Sequence, residues 1–327
     1  MRILVTGSEG SLMQAVIPQL LAAGHEVVGV DSFVRYGRIE RERHYTFLEG
    51  DLSDPAISLK AIEGCDGVIQ AAARIYGVIG FHQVPADILG YDLALHHNVL
   101  RAALHAEVGH VAYISSSMVY ERVPQVPCTE SDVDEAPPPS TAYGLSKLTG
   151  ERMSQAFWQQ YQLPYTIWRP FNIITGTETA AAEVGISHVF ADFVERIVLN
   201  PIHPLPIIGG GEQVRCFTWI DDVARGIADH TFTPAARNET FNLGNPEPMT
   251  MKALARRIRH LAREAGLLPD GPDLAFTSMP APSDDVRRRV PDVRKAKALL
   301  DWEPTVSTDE SLQRVLSAVA RNRSGRS

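Results

Sequence analysis

The opening stretch "RILVTGSEGSLMQAVIPQLLAAGHEVVGVD" (2–31) constrains the chain more than any other. A short β-branched run closes on Gly7, a helically spaced apolar segment follows and stops at Gly24, and "EVVGVD" is a second apolar run ending in Asp31. Both strand-like runs are apolar throughout rather than alternating, which predicts a parallel sheet buried on both faces. "GVIQAAA" and "HVAYISSS" continue the pattern, with helical spacing between them around "DLALHHNVLRAALHAE". Alternating strands and helices of this kind predict an α/β fold, a Rossmann-type doubly wound parallel sheet. Beyond "YTIWRPFN" the pattern changes: glycine and proline punctuate "PIHPLPIIGGGEQ", and "MTMKALARRIRHLAREAG" makes an amphipathic helix. The expected organisation is a nucleotide-binding domain from 1–171 plus about 216–244, and a smaller C-terminal mixed α/β lobe from about 172–215 plus 245–318. The tail "RNRSGRS" places a flexible terminus at 319–327.

The first turn suits a pyrophosphate. Gly7 permits the sharp bend, and Gly10 lets the backbone approach an anion at a helix N-terminus, where free N–H groups and the helix dipole favour negative charge. A third glycine is usual in such turns for close helix packing; here Met13 stands there, which predicts a displaced helix rather than a lost site. Glycines alone would equally serve a plain turn. Asp31 adds the second element, an acid 21 residues after Gly10 at the end of the next strand, where a carboxylate accepts from adenosine ribose hydroxyls. The same charge repels a 2′-phosphate, so the expected cofactor is NAD rather than NADP.

Charge and cysteine usage narrow the partners. A formal net charge of −8 argues against nucleic acid or an anionic membrane as the main partner. Cys65, Cys128 and Cys216 are odd in number and far apart, a pattern of neither a disulfide framework nor a metal site, and one that suits a reducing compartment. No run approaches the length of a membrane span, and the first residues lack the core of a signal peptide. The expectation is a soluble cytoplasmic protein without a metal.

"STAYGLSKLTGE" (140–151) follows the proline run "DEAPPPST" and opens a predicted helix at Ala142, with Ser140 or Thr141 as its cap. Tyr143 and Lys147 lie four apart and share a helix face. A phenol with a pKa of about 10 is a poor base at neutral pH, and a nearby ammonium lowers that pKa by stabilising the phenolate. Such a tyrosine can take a proton from a sugar hydroxyl while hydride leaves the adjoining carbon. An exposed helical pair without function has the same spacing.

With "GDLSD", "ISSSMVYE", "TAYGLSK", "RPFN", "GGGEQVRCFTWIDDVARGI", "FNLGNP", "RRRVPD" and "KAKALLDWEP", the chain resembles the extended short-chain dehydrogenase/reductases of the nucleotide-sugar epimerase/dehydratase family almost end to end. The resemblance implies NAD in the Rossmann domain, a nucleoside-diphosphate sugar against the C-terminal lobe, and a homodimer packed through the helices near 92–107 and 142–161. It implies that Asp51 and Leu52 flank the adenine, that Ala71, Ala72 and Ala73 line the cofactor, and that Lys147 also holds the nicotinamide ribose. Ser116 stands where the family keeps a Ser or Thr bonded to the reacting hydroxyl, with Ser117 beside it toward the sugar. Asn172, Arg215 and Arg288 match positions that contact the diphosphate or nucleoside. Dehydratases and decarboxylating relatives place acids just after the Ser116 position, and a 3,5-epimerase similar in "AARIYGVIGF" has a cysteine at position 118; Met118 can do the work of neither. The resemblance therefore implies C4 epimerisation, with a dehydratase or 4-ketosugar reductase as alternatives and a non-catalytic NAD-binding regulator as a third. Glu121, after Tyr120, is either a displaced acid/base or a loop carboxylate. The loop at 75–83 is long and glycine-rich and is expected to reshape the sugar pocket.

Overall fold

The structure, a computed structural model, describes every residue except 35, 36, 39, 78 and 325–327. Seven strands pair in parallel: β1 (Arg2–Thr6), β2 (Glu26–Asp31), β3 (Thr46–Glu49), β4 (Gly67–Gln70), β5 (His110–Ile114), β6 (Tyr165–Pro170) and β7 (Glu239–Leu243). Their order across the sheet is β7-β6-β5-β4-β1-β2-β3. Every residue of β4 and β5 is buried, which is why these runs do not alternate in sequence. The order reverses between β1 and β4, and a crevice opens there at the carboxyl ends of the strands.

Successive side chains of β1 serve opposite layers. Ile3 and Val5 pack toward α1 (Ser11–Ala22), whereas Leu4 joins the layer beneath α2 (Pro55–Ile62) and α3 (Pro85–His105). Met13 is buried in the first of these layers, filling the space between α1 and the sheet. The helix α3 starts earlier than the spacing around 92–107 suggests, because Pro85 at its first turn needs no N–H partner. It lies along α4 (Ala142–Tyr161), and α5 (Ile220–His230) covers α1 from the other side.

The smaller lobe is mixed. Leu205–Ile208 pairs in parallel with Phe276–Met279, and Val214–Cys216 pairs antiparallel with Pro248–Thr250. In α6 (Met251–Glu264) the buried residues Leu254, Ala255, Ile258, Leu261 and Ala262 recur at helical spacing, and Thr250 caps the helix by accepting from Ala253 N at 3.1 Å. Two segments depart from the expected boundaries. Residues from α7 (Arg294–Leu300) to Trp302, allotted by sequence to the lobe, pack on the sheet layer, where Trp302 donates to Asp222 O at 2.9 Å. The last helix, α8 (Thr308–Ser324), carries residues 319–324 of the expected tail in helical form; the remainder lies outside the described residues. No helix among the described residues is long and apolar enough to cross a membrane.

Candidate active site

A cavity of about 710 Å³ runs from the β1–β4 crevice to the smaller lobe. At its nucleotide end Gly7 has φ +65°, and a Cβ there would stand 3.0 Å from the Ala72 Cα, closing the gap between the two strand ends. Thr6 Oγ1 accepts from Ala71 N and Ala72 N, both at 2.9 Å, which fixes the backbone lining the crevice through Ala73. Gly10 closes the turn by donating to Gly7 O at 3.0 Å. Asp31 accepts from Glu9 N at 3.0 Å and Phe33 N at 2.8 Å; burial pushes its carboxyl pKa up against those bonds. Gly50 and Leu52 line the cavity, but Asp51 does not. Its carboxylate accepts at Oδ1 from Ser53 N and the Tyr91 hydroxyl, each at 2.8 Å.

The catalytic end is organised by the cap of α4. Thr141 Oγ1 accepts from Gly144 N at 3.0 Å. The Glu121 carboxylate then accepts from Ser140 N and Thr141 N, each at 2.9 Å, and from both hydroxyls. This use of its oxygens makes Glu121 the clamp of the proline loop, although it borders the cavity. Tyr143 is 5% exposed and stacks on Phe81 with ring centres 4.4 Å apart. Lys147 is 2% exposed; Nζ donates to Ile114 O at 2.9 Å and lies 5.7 Å from the centre of the Tyr143 ring. Burial pushes Lys147 down to about 8, opposed by the charges of Asp92 and Glu151. Ser116, whose Oγ accepts from Met118 N at 3.2 Å, lines the same cavity with Ser117, Tyr143 and Lys147.

At the lobe end Asn172 adopts φ 31°, a left-handed conformation that asparagine tolerates, and donates to Cys216 O at 2.8 Å. Arg215 lines the cavity and donates to Asp285 at 3.2 Å. Of the two adjacent arginines, Arg289 and not Arg288 borders the cavity. Arg288 sits in a bridge with Val214 and is exposed, while the next residue of the extended segment turns to the opposite side and is 5% exposed in the cavity wall. Arg289 donates to Met118 Sδ at 2.7 Å and Asn172 Oδ1 at 3.4 Å, and its Nε has no hydrogen-bond partner among the described residues. Burial, reinforced by the Arg215 charge, disfavours its cation. Arg215, paired with Asp285, and Arg289, bonded to Met118 and Asn172, both border the cavity, and forked cationic donors of this kind suit a multiply charged anion.

Sequence reasoning missed one wall of this cavity. Residues 184–189 border it, and two backbone bonds, Gly77 N to Ile186 O at 2.6 Å and Ile79 N to Gly185 O at 3.0 Å, join them to the glycine-rich loop. His188 Nδ1 lies 2.8 and 2.9 Å from the two oxygens of Glu178, also in the lining. The contact unites segments about a hundred residues apart, and nothing local in the sequence signals it.

The family model for the NAD dependent epimerase/dehydratase family matches residues 3–244. The chain belongs to this family. UDP-glucuronic acid decarboxylase 1 of Xenopus tropicalis is 27% identical over 322 residues, covering 96% of this chain and 71% of the relative. Among solved structures, UDP-glucose 4-epimerase of Thermotoga maritima with UDP-glucose has a TM-score of 0.85 at 26% identity, covering 99% of this chain and 100% of the other. The UDP-glucose 4-epimerase of Thermus thermophilus in complex with NAD has a TM-score of 0.83 at 25% identity, covering 98% and 99%. This chain is thus an NAD-dependent enzyme of nucleotide-sugar chemistry, and its crevice fits that cofactor: a glycine turn open to the sheet edge, an acid at the end of β2, and a buried cation beside Tyr143.

Proposed function

We propose that the protein is an epimerase that inverts C4 of a nucleoside-diphosphate sugar through a transient 4-keto intermediate. The observation that carries this reading is the residue at position 118. A thioether held by Arg289 stands where an elimination would need an acid or base, and the loop carboxylate of Glu121 is committed to the cap of α4. Ser116, Tyr143 and Lys147 line the cavity together and suffice for reversible oxidation of a hydroxyl.

When bound, NAD supplies a reversible acceptor for the C4 hydride. Tyr143 takes the proton of the C4 hydroxyl as its phenolate, supported by the Lys147 ammonium, while Ser116 bonds the same oxygen. Arg215, Arg289 and Asn172 hold the diphosphate, so the sugar can turn over without leaving. The proton returns to the same oxygen when hydride reaches the opposite face of C4, and no net redox change results. The same reading makes the protein a cytoplasmic homodimer packed through α3 and α4, the long helices that lie side by side.

A dehydratase with a relocated base has one observation in its favour, the Glu178–His188 pair in the cavity wall. Incubation with a panel of UDP-, GDP- and dTDP-sugars, followed by chromatography and mass analysis, separates the two. An epimer keeps the substrate's mass, whereas loss of water or carbon dioxide overturns the proposal. Tyr143→Phe should retain bound NAD and lose roughly 10²–10⁴-fold in turnover. A variant with near wild-type turnover would remove Tyr143 as the base.

A further inference from the structure

Between the two glycines of the first turn stands an acid that the dinucleotide fold does not require. Glu9 is 4% exposed and borders the cavity beside Asp31, to which its own N–H donates at 3.0 Å. Arg43 meets it as a fork, Nε to Oε1 at 3.0 Å and Nη2 to Oε2 at 3.1 Å. Arg41 Nε lies 3.3 Å from Oε2, and the Tyr45 hydroxyl donates to Oε1 at 2.8 Å. Arg43 is itself fixed, its guanidinium 4.3 Å from the centre of the Phe47 ring. Two guanidiniums and a phenol converging on oxygens are the donor set of a phosphate site, because the planar fork matches phosphate and carboxylate alike. Here the set is filled from within. It adjoins the carboxylate that suits adenosine ribose hydroxyls, which is where the extra phosphate of NADP would project.

We propose that Glu9 occupies, in cis, the anion site that a 2′-phosphate would otherwise take, so that Glu9 together with Arg41 and Arg43 sets the preference for NAD. With NAD the three donors stay paired to Glu9 and nothing buried is left unsatisfied. NADP would bring its phosphate against the carboxylates of Asp31 and Glu9, with the cationic partners of Glu9 already engaged. The inference rests on the dinucleotide crevice and not on the sugar chemistry.

The test is competition for the holoenzyme. Protein is equilibrated with equimolar NAD and NADP, and the bound nucleotides are released and quantified by chromatography. Glu9→Gln should move the bound NADP:NAD ratio upward by about tenfold or more, the effect of one charge-assisted bond gained. The shift should shrink with added salt and vanish in Glu9→Gln with Arg43→Gln. An unchanged ratio in Glu9→Gln, or a gain that survives loss of Arg43, overturns the proposal. Should Gln at position 9 prevent folding, Arg43→Gln alone decides. By uncovering the Glu9 charge it should lower the NADP:NAD ratio below that of the wild type, and an equal or higher ratio overturns the proposal. Because the readout is bound nucleotide, failure of the sugar reaction leaves it intact.

Discussion

Lys147 faces one carbonyl oxygen and two aromatic rings, and two buried carboxylates act on its charge. Glu151 is already engaged, by Arg169 at 2.7 and 2.9 Å and by the Ser115 hydroxyl at 2.5 Å. Asp92, fully buried, accepts among the described residues from Arg74 N and Ser146 Oγ, both at 3.0 Å, and its charge acts on the ammonium. In the proposed mechanism, a pH rising through the Lys147 pKa of about 8 removes the support for the Tyr143 phenolate. Asp92→Asn removes a charge that holds this pKa up, so the alkaline limb of kcat against pH should move down by about one unit. A limb left in place by Asp92→Asn would show that the carboxylate only shapes the helix pair. The Tyr143–Lys147 pair was readable because it lies within one helical turn. Asp92 was not, since its bond to Ser146 spans 54 positions. The run of three arginines at 287–289 does not say which one an extended backbone turns toward the cavity, and the one that borders it is Arg289.

At the level of elements, the Arg169–Glu151 pair joins β6 to α4, with side chains 3% and 0% exposed. Arg169 also reaches the Tyr120 hydroxyl at 2.7 Å, and that hydroxyl donates to Asn242 of β7 at 2.6 Å. Removing one partner leaves an uncompensated buried charge, so Glu151→Ala should lower unfolding free energy by about 3–5 kcal/mol. Replacing both by leucine should recover much of that loss in urea titrations, and a single substitution that costs no more than the double would defeat this account. The clasp between 77–79 and 185–186 predicts a different effect. A Cβ on Gly77 would land on the carbonyl oxygens of Gly185 and Ser187, so Gly77→Ala must part the two segments. Limited proteolysis should then cut within 178–187 faster than in the wild type, with the cores of α3 and α4 still protected. Strands and helices were legible because each carries its own period. The early start of α3 and the pairing of the two loops were not, because burial against distant residues decides both.

Across the whole molecule, acid should weaken the fold through two histidines kept neutral by burial. His96 lies against strands β4 and β5, its ring nitrogens 2.7 Å from the Tyr113 hydroxyl and 3.3 Å from Gln70 Nε2, and burial, then the Lys147 charge, holds its pKa well below the ordinary value. His110 bonds Thr166 Oγ1 at 2.8 Å, and burial, then Arg237, pushes it down to about 4. In the unfolded chain both titrate at about 6.5, so below that pH the unfolded state binds protons that the native state refuses, for His110 down to about 4. Stability is fully present above about 6.5 and falls as the pH drops through this window, for His110 by about 2 kcal/mol on reaching pH 5. Asp31, Asp92, Glu130 and Asp192, whose pKa values burial raises, act with the opposite sign as they take up protons. The comparison that isolates one histidine is therefore the loss of unfolding free energy from pH 7 to pH 5 in the wild type against His110→Gln. The variant starts lower at pH 7 because its packing against Phe232 changes, yet it should lose about 2 kcal/mol less on acidification. Equal losses in the two proteins would mean that His110 takes up its proton within the fold.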